Sequence, residues 1–115
     1  MKPVSQFRLR ITHANEIAVG PGKVALLEAI VTTGSITAAA KELRMSYRRA
    51  WLLIDSMNHM FKLPVVDAAK GGKQGGGTSV TATGLKVIEC YRRIEREALK
   101  ASARDIKKLN GMLRD

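Results

Sequence analysis

The chain has 115 residues with 20 Lys and Arg against 10 Asp and Glu, a formal net charge of +10 that points toward a polyanionic partner. At 45% hydrophobic it can bury a core, which argues against disorder, and its length predicts one domain over residues 1–115 with no space for a second, ligand-sensing one. No run of 18 apolar residues exists, and the stretch after Met1-Lys2-Pro3 lacks an apolar centre, so membrane and secreted classes are excluded and a cytoplasmic location is expected.

Phe7, Leu9 and Ile11 alternate with Arg8, Arg10 and Thr12, which predicts a half-buried strand; Ile17 and Val19 repeat the pattern. His13, Ala14 and Asn15 would close a hairpin that lacks a glycine, so residues 1–20 read as short N-terminal strands. Gly20-Pro21-Gly22 breaks the strand, with Pro21 suited to a first helical turn, and Val24, Leu27, Ala29, Ile30 and Val31 predict a helix that stops at Gly34. Ser35 is an N-cap for a short second helix with Ile36, Ala39, Ala40 and Leu43 on one face.

Ser46 can cap a third helix, in which Ala50, Leu53, Ile54, Met57 and Phe61 hold the apolar spacing and Pro64 marks the end. The turn before it is only about three residues long. Residues 65–69 then read as a strand, residues 70–77 as a glycine-rich loop and residues 78–81 as the return strand. From residue 82 to the end, one long helix is expected, with a stripe of Val87, Tyr91, Ile94, Ala98, Ala101, Ser102, Ile106, Leu109 and Leu113.

Helix, short helix, tight turn, helix and two-stranded ribbon is the order of a winged helix-turn-helix. The expected fold is therefore mainly α with small β, with the helix-turn-helix and wing over residues 21–81 and a long C-terminal helix over 82–115. A third helix of this kind fits the DNA major groove and presents its first turn to base edges. That turn carries Ser46, Tyr47, Arg48 and Arg49. Two adjacent arginines are ordinary on a protein surface, but behind such a turn they suit bidentate pairing with guanine, while Tyr47 offers a ring for a thymine methyl or a hydroxyl for a phosphate. Ser35 and Thr37, at the start of the second helix, are counted with the DNA-contacting residues.

Gly71-Gly72-Lys73-Gln74-Gly75-Gly76-Gly77 exceeds what a tight hairpin needs. Its backbone amides, with Lys70, Lys73 and the flanking Thr78, suit a wing that touches phosphates. It is not a nucleotide-binding P-loop, because Gln74 rather than Ser or Thr follows Lys73 and no glycine lies five residues before Gly72. Gly20-Pro21-Gly22-Lys23-Val24-Ala25 matches a dinucleotide fingerprint in form, yet a helix rather than a parallel strand follows it and Pro21 lacks the amide that pyrophosphate would use.

Basic side chains outnumber acidic ones by seven to three in residues 41–73, four to two in 1–40 and nine to five in 86–115. The middle block is thus the most one-sided, and the tail, with pairs such as Glu89 and Arg93, reads as a solvated helix face. Cys90 is the lone cysteine and His13 and His59 the only imidazoles, too few for a disulfide or a Cys/His zinc site, so neither metal nor cofactor is expected. Cys90 is expected on a packing surface, His59 near a helix C-terminus for its dipole, Trp51 at the edge of the core, and Met45, Met57, Met60 and Met112 in apolar stripes. No acidic pair suited to hydrolysis is evident, and no enzyme is expected.

Thr33-Gly34-Ser35-Ile36-Thr37-Ala38-Ala39-Ala40, Met45-Ser46-Tyr47-Arg48-Arg49-Ala50-Trp51, Met57-Asn58, the glycine loop and residues 81–84 together resemble the N-terminal DNA-binding domain of the ModE family of bacterial molybdate-responsive regulators, and more distantly the LysR-type winged helices. The likeness covers roughly residues 20–100. It implies a homodimer on palindromic double-stranded DNA, with Ser46 to Arg49 on the recognition helix and residues 70–78 in the wing. The full-length regulators of that family carry molybdate-binding domains after the long helix; the sequence stops at Asp115, so molybdate sensing is not carried over and no small-molecule effector is identifiable. A helix of about 28 residues would span roughly 40 Å, more than so small a domain covers, which assigns Val87, Tyr91, Ile94, Ala98, Ile106 and Leu109 to a dimer face. The expected function is a dimeric, sequence-specific transcription regulator; the alternative is an architectural protein that coats nucleic acid without sequence preference. An enzyme or nucleotide-binding module built on residues 20–25 is remote.

Overall fold

The computed structural model describes residues 2–68 and 77–114. Two short strands, β1 (Ile11–His13) and β2 (Glu16–Val19), pair antiparallel and lead into α1 (Pro21–Thr33), α2 (Ile36–Glu42) and α3 (Tyr47–Met60). A second antiparallel pair, β3 (Val66–Ala68) and β4 (Thr78–Val80), precedes α4 (Ala82–Ala101) and α5 (Ala103–Gly111).

The first hairpin closes without glycine because Ala14 and Asn15 both adopt the left-handed conformation, at φ 52° and 64°, which a two-residue turn between twisted strands requires. Residues 7–10, expected in the first strand, are not in it. β2 has only four residues before Gly20 and Pro21 redirect the chain, so nothing pairs with them, although Leu9 still packs under Tyr91.

Pro21 stands in the first turn of α1, and Gly34 ends that helix at φ 69°, its amide donating to the Ile30 carbonyl. The Ser35 and Ser46 hydroxyls accept from the amides of Ala38 and Arg49 and so cap α2 and α3. Four residues separate these helices. Arg44 takes the left-handed conformation, at φ 57°, so that Met45 N–H reaches the Ala40 carbonyl and Arg44 N–H that of Lys41. This is a Schellman closure with arginine where glycine is usual.

Leu26, Leu27 and Ile30 of α1, Ile36, Ala39 and Ala40 of α2, Ala50, Ile54 and Met57 of α3, and Val65 with Val66 form one buried cluster. Alanines at 39, 40 and 50 let the three helices approach closely. A second cluster of Val19, Val24 and Tyr91 fastens the first hairpin to α1 and α4.

The ribbon is registered Val66 to Val80, Asp67 to Ser79 and Ala68 to Thr78. Asn58 of α3 clamps its base: its Oδ1 accepts from Val65 N–H at 2.8 Å and Val66 N–H at 3.2 Å, and its Nδ2 donates to the Val66 carbonyl at 3.0 Å. Thr81 adds a second anchor. Its hydroxyl donates to the Pro64 carbonyl and accepts from Gly84 N–H, capping α4. A Cβ at Gly84 would collide with the Val65 carbonyl, so α4 can lie this close to β3 only with glycine there.

The expected single long helix divides at Ser102, whose hydroxyl donates to the Ala98 carbonyl and whose backbone leaves helical geometry at ψ 8°. Such back-bonding bends helices. No residue of α5 is buried, and Met112, expected in an apolar stripe, is exposed.

Candidate nucleic-acid interface

The buried face of α3 is Ala50, Ile54 and Met57, and at 100° per residue Arg48, Leu52 and Asp55 fall opposite it. Tyr47, Arg48, Trp51, Leu52 and Asp55 line a depression of about 440 Å³ on that outward side. Trp51, expected at the edge of the core, is 43% exposed and belongs to neither core cluster. At 100° per residue it stands about a quarter turn from Ala50 and the buried face, on the side shared with Arg48 and Leu52.

The two arginines part company. Arg48 faces the outward depression, whereas Arg49 lines a second one of about 640 Å³ together with Arg8, Arg10, Glu16, Ser56 and the start of α1. Lys23 also borders this second depression. Only 8% exposed, Lys23 directs its ammonium to the Ile17 carbonyl and, at 3.1 Å, to the Ser56 hydroxyl. Burial pushes its pKa down from the usual lysine value, an effect that nearby Glu16 opposes. Four cations thus surround one carboxylate beside the uncapped N-terminus of α1. Arg8 and Arg10 were not among the sequence-predicted contacts. Their alternation with apolar residues 7, 9 and 11 marks a polar face, but only the folding of the arm against α1 and α3 sets that face beside Arg49.

Ser35 and Ser46 act as caps, which ties each hydroxyl oxygen to a helix start. Thr37 is exposed in the first turn of α2, and Thr78 opens β4 with its amide directed at the Gly34 carbonyl, 3.4 Å away. Lys70, Gly71, Gly72, Lys73 and Gln74, the expected wing tip, lie outside the described residues.

Of the residues assigned to a dimer face, Tyr91 is 2% exposed, and its hydroxyl donates to the Leu9 carbonyl at 2.8 Å, so it packs within its own chain. Burial pushes its pKa up. Val87 packs against both core clusters, Ala98 and Ile106 are half-buried, and Ile94 and Leu109 are exposed. Cys90 is exposed at the rim of an apolar groove of about 250 Å³ that runs from Leu9 and Ile11 to Ile94. His59 donates from Nδ1 to the Asp55 carbonyl at 2.8 Å, one turn back on α3. Among the described residues no group of three or more His, Cys, Asp and Glu side chains converges, and no helix is long and apolar enough to cross a membrane.

The family model for bacterial regulatory helix-turn-helix proteins of the LysR family matches residues 22–85. The chain belongs to that family. Its helix-turn-helix is ModE-like: it is 47% identical over 92 residues to the molybdenum-pterin-binding protein MopB of Rhodobacter capsulatus and 33% identical over 87 residues to the DNA-binding transcriptional dual regulator ModE of Escherichia coli K12. These alignments cover 80% and 76% of the chain but 34% and 33% of the relatives, so the chain spans about a third of their length. The fold is similar to that of the DNA-binding domain of CbnR in its DNA complex, with a TM-score of 0.59 at 20% identity, over 76% of this chain and 95% of that one. The LysR-type match runs from α1 through the ribbon to the start of α4, and the N-terminal hairpin with Arg8 and Arg10 precedes it.

Proposed function

We propose that the chain is a sequence-specific, double-stranded-DNA-binding transcription regulator that acts as a homodimer. The observation that carries this reading is the outward face of α3: an arginine and two aromatic rings, exposed together on the first turns of a helix that a Schellman turn and the Ser46 cap hold in place. Placed in a major groove, Arg48 would pair with guanine O6 and N7, and Arg49, with Arg8 and Arg10, would meet backbone phosphates. The wing, including Lys70 and Lys73, would follow the adjoining backbone. Ile94 and Leu109, both exposed, with the half-buried Ala98 and Ile106, support a pairing of two copies, since together they leave apolar surface along α4 and α5.

Selection from random duplexes, followed by sedimentation of the bound species, tests the reading. An enriched palindrome bound by two copies is the expected result. No enrichment together with a steep salt dependence would instead mean a sequence-indifferent coat. On an enriched duplex, Arg48→Ala should lose about 1–3 kcal/mol and relax preference at one base pair. Arg49→Ala should weaken all sequences alike and lower the salt slope by about 1. Equal behaviour of the two variants would refute the division of roles.

A further inference from the structure

The outward face of α3 carries more apolar surface than phosphate contact or arginine pairing uses. Leu52 is 57% exposed and Trp51 43%, side by side on a helix whose other face is closed in the core. Both border the depression that Arg48 and Asp55 share. Leu52 lies one helical turn beyond Arg48 on the same side, about 6 Å further along the axis, which is close to two base-pair steps. A polar side chain there would suit a hydrated surface at no cost, whereas an exposed leucine beside an exposed indole gains free energy only by covering another apolar group. Arg48, which borders the same depression, favours a polyanionic occupant over an apolar protein surface. In the major groove of duplex DNA the one apolar group that a base pair presents is the C5-methyl of thymine.

We infer that Leu52 and Trp51 form a thymine-reading surface, which covers thymine methyl groups next to the base pair that Arg48 engages. This rests on the reading of α3 as the base-contacting helix, and it adds a specificity that hydrogen bonds do not supply. Specificity at these positions then depends on the methyl group, and replacement of thymine by uracil, which keeps the pairing with adenine and removes the methyl alone, weakens it.

The test uses the full chain and the best duplex recovered from random selection, with each thymine replaced in turn by deoxyuridine. At one or two positions the loss of the methyl should weaken wild-type binding about fourfold, the effect of burying one methyl. Leu52→Ala or Trp51→Ala should bind the thymine and uracil duplexes equally at the matching position. Both side chains are exposed, so thermal unfolding should be unchanged, and Leu52→Gln provides a second variant if alanine lowers it. The inference is overturned if uracil is tolerated at every position, or if the uracil penalty persists in both variants. It is also overturned if Leu52→Ala shifts the sedimentation of the DNA-free protein, which would mean that this face pairs copies. Failure of the selection to enrich any sequence is a different result, and it removes the base-reading role of α3 itself.

Discussion

Replacing Asn58 by alanine removes three hydrogen bonds that join α3 to the first residues of the ribbon, at 2.8, 3.0 and 3.2 Å. Val65 and Val66 are buried, 0% and 2% exposed, so their amides have poor access to water once the Oδ1 acceptor is gone. An unsatisfied buried donor costs about 1–3 kcal/mol, and a typical hydrogen bond contributes about 0.5–1.5 kcal/mol net, so the expected loss is about 3 kcal/mol. With a urea slope of about 1.5 kcal/mol per molar for a chain of this size, the midpoint should fall by about 2 M, read by far-UV circular dichroism. Asn58→Asp keeps the acceptor for both amides but loses the donor to the Val66 carbonyl, and should fall between wild type and alanine. If alanine costs under about 1 kcal/mol, or if Asp is as damaging as Ala, the clamp does not work through the Oδ1 acceptor as argued.

Gly84→Ala should destabilise by about 1–3 kcal/mol, because the new methyl meets the Val65 carbonyl and the Val80 side chain and α4 must shift off the ribbon; thermal melting checks it, and an unchanged melt would contradict the close approach. The Arg92 guanidinium reaches across 64 residues to Glu28, joining α4 to α1, and its hydrogen bonds hold the Glu28 carboxyl below the usual carboxylate range. That contribution is present above the unfolded glutamate pKa and is lost as pH falls through the depressed folded value. Both partners are partly exposed, so Glu28→Gln should cost only about 0.5 kcal/mol at pH 7, and its melting temperature should converge on that of wild type at acid pH.

The helical half of the fold was legible because its signals are local. Ser35 and Ser46 cap through their own hydroxyls three residues ahead, Gly34 ends α1 in a conformation that suits glycine, and Ile36, Ala39 and Ala40 share a face by spacing alone. The long C-terminal stripe was legible as helix but not as two helices, since the break depends on a serine hydroxyl choosing a backbone carbonyl over solvent. Spacing also put Tyr91 and Leu109 on one stripe, although one is closed against Leu9 and the other is 62% exposed. Leu52 could have been noticed from its place four residues after Arg48 and opposite Ala50, Ile54 and Met57. Arg8 and Arg10 had no comparable signal.

The sequence by itself determined where α1, α2 and α3 begin, which face of α2 and α3 is apolar, and that a basic first turn follows a short turn between α2 and α3. Those features depend on contacts within a few residues, which spacing and residue type express directly. Only the tertiary structure decided which exposed side chains stand together: Arg48 with Trp51 and Leu52, Arg49 with Arg8 and Arg10, and Asn58 with the base of the ribbon. The second grouping joins segments about 40 residues apart, and the exposure of the first depends on what packs against a face as well as on how apolar that face is.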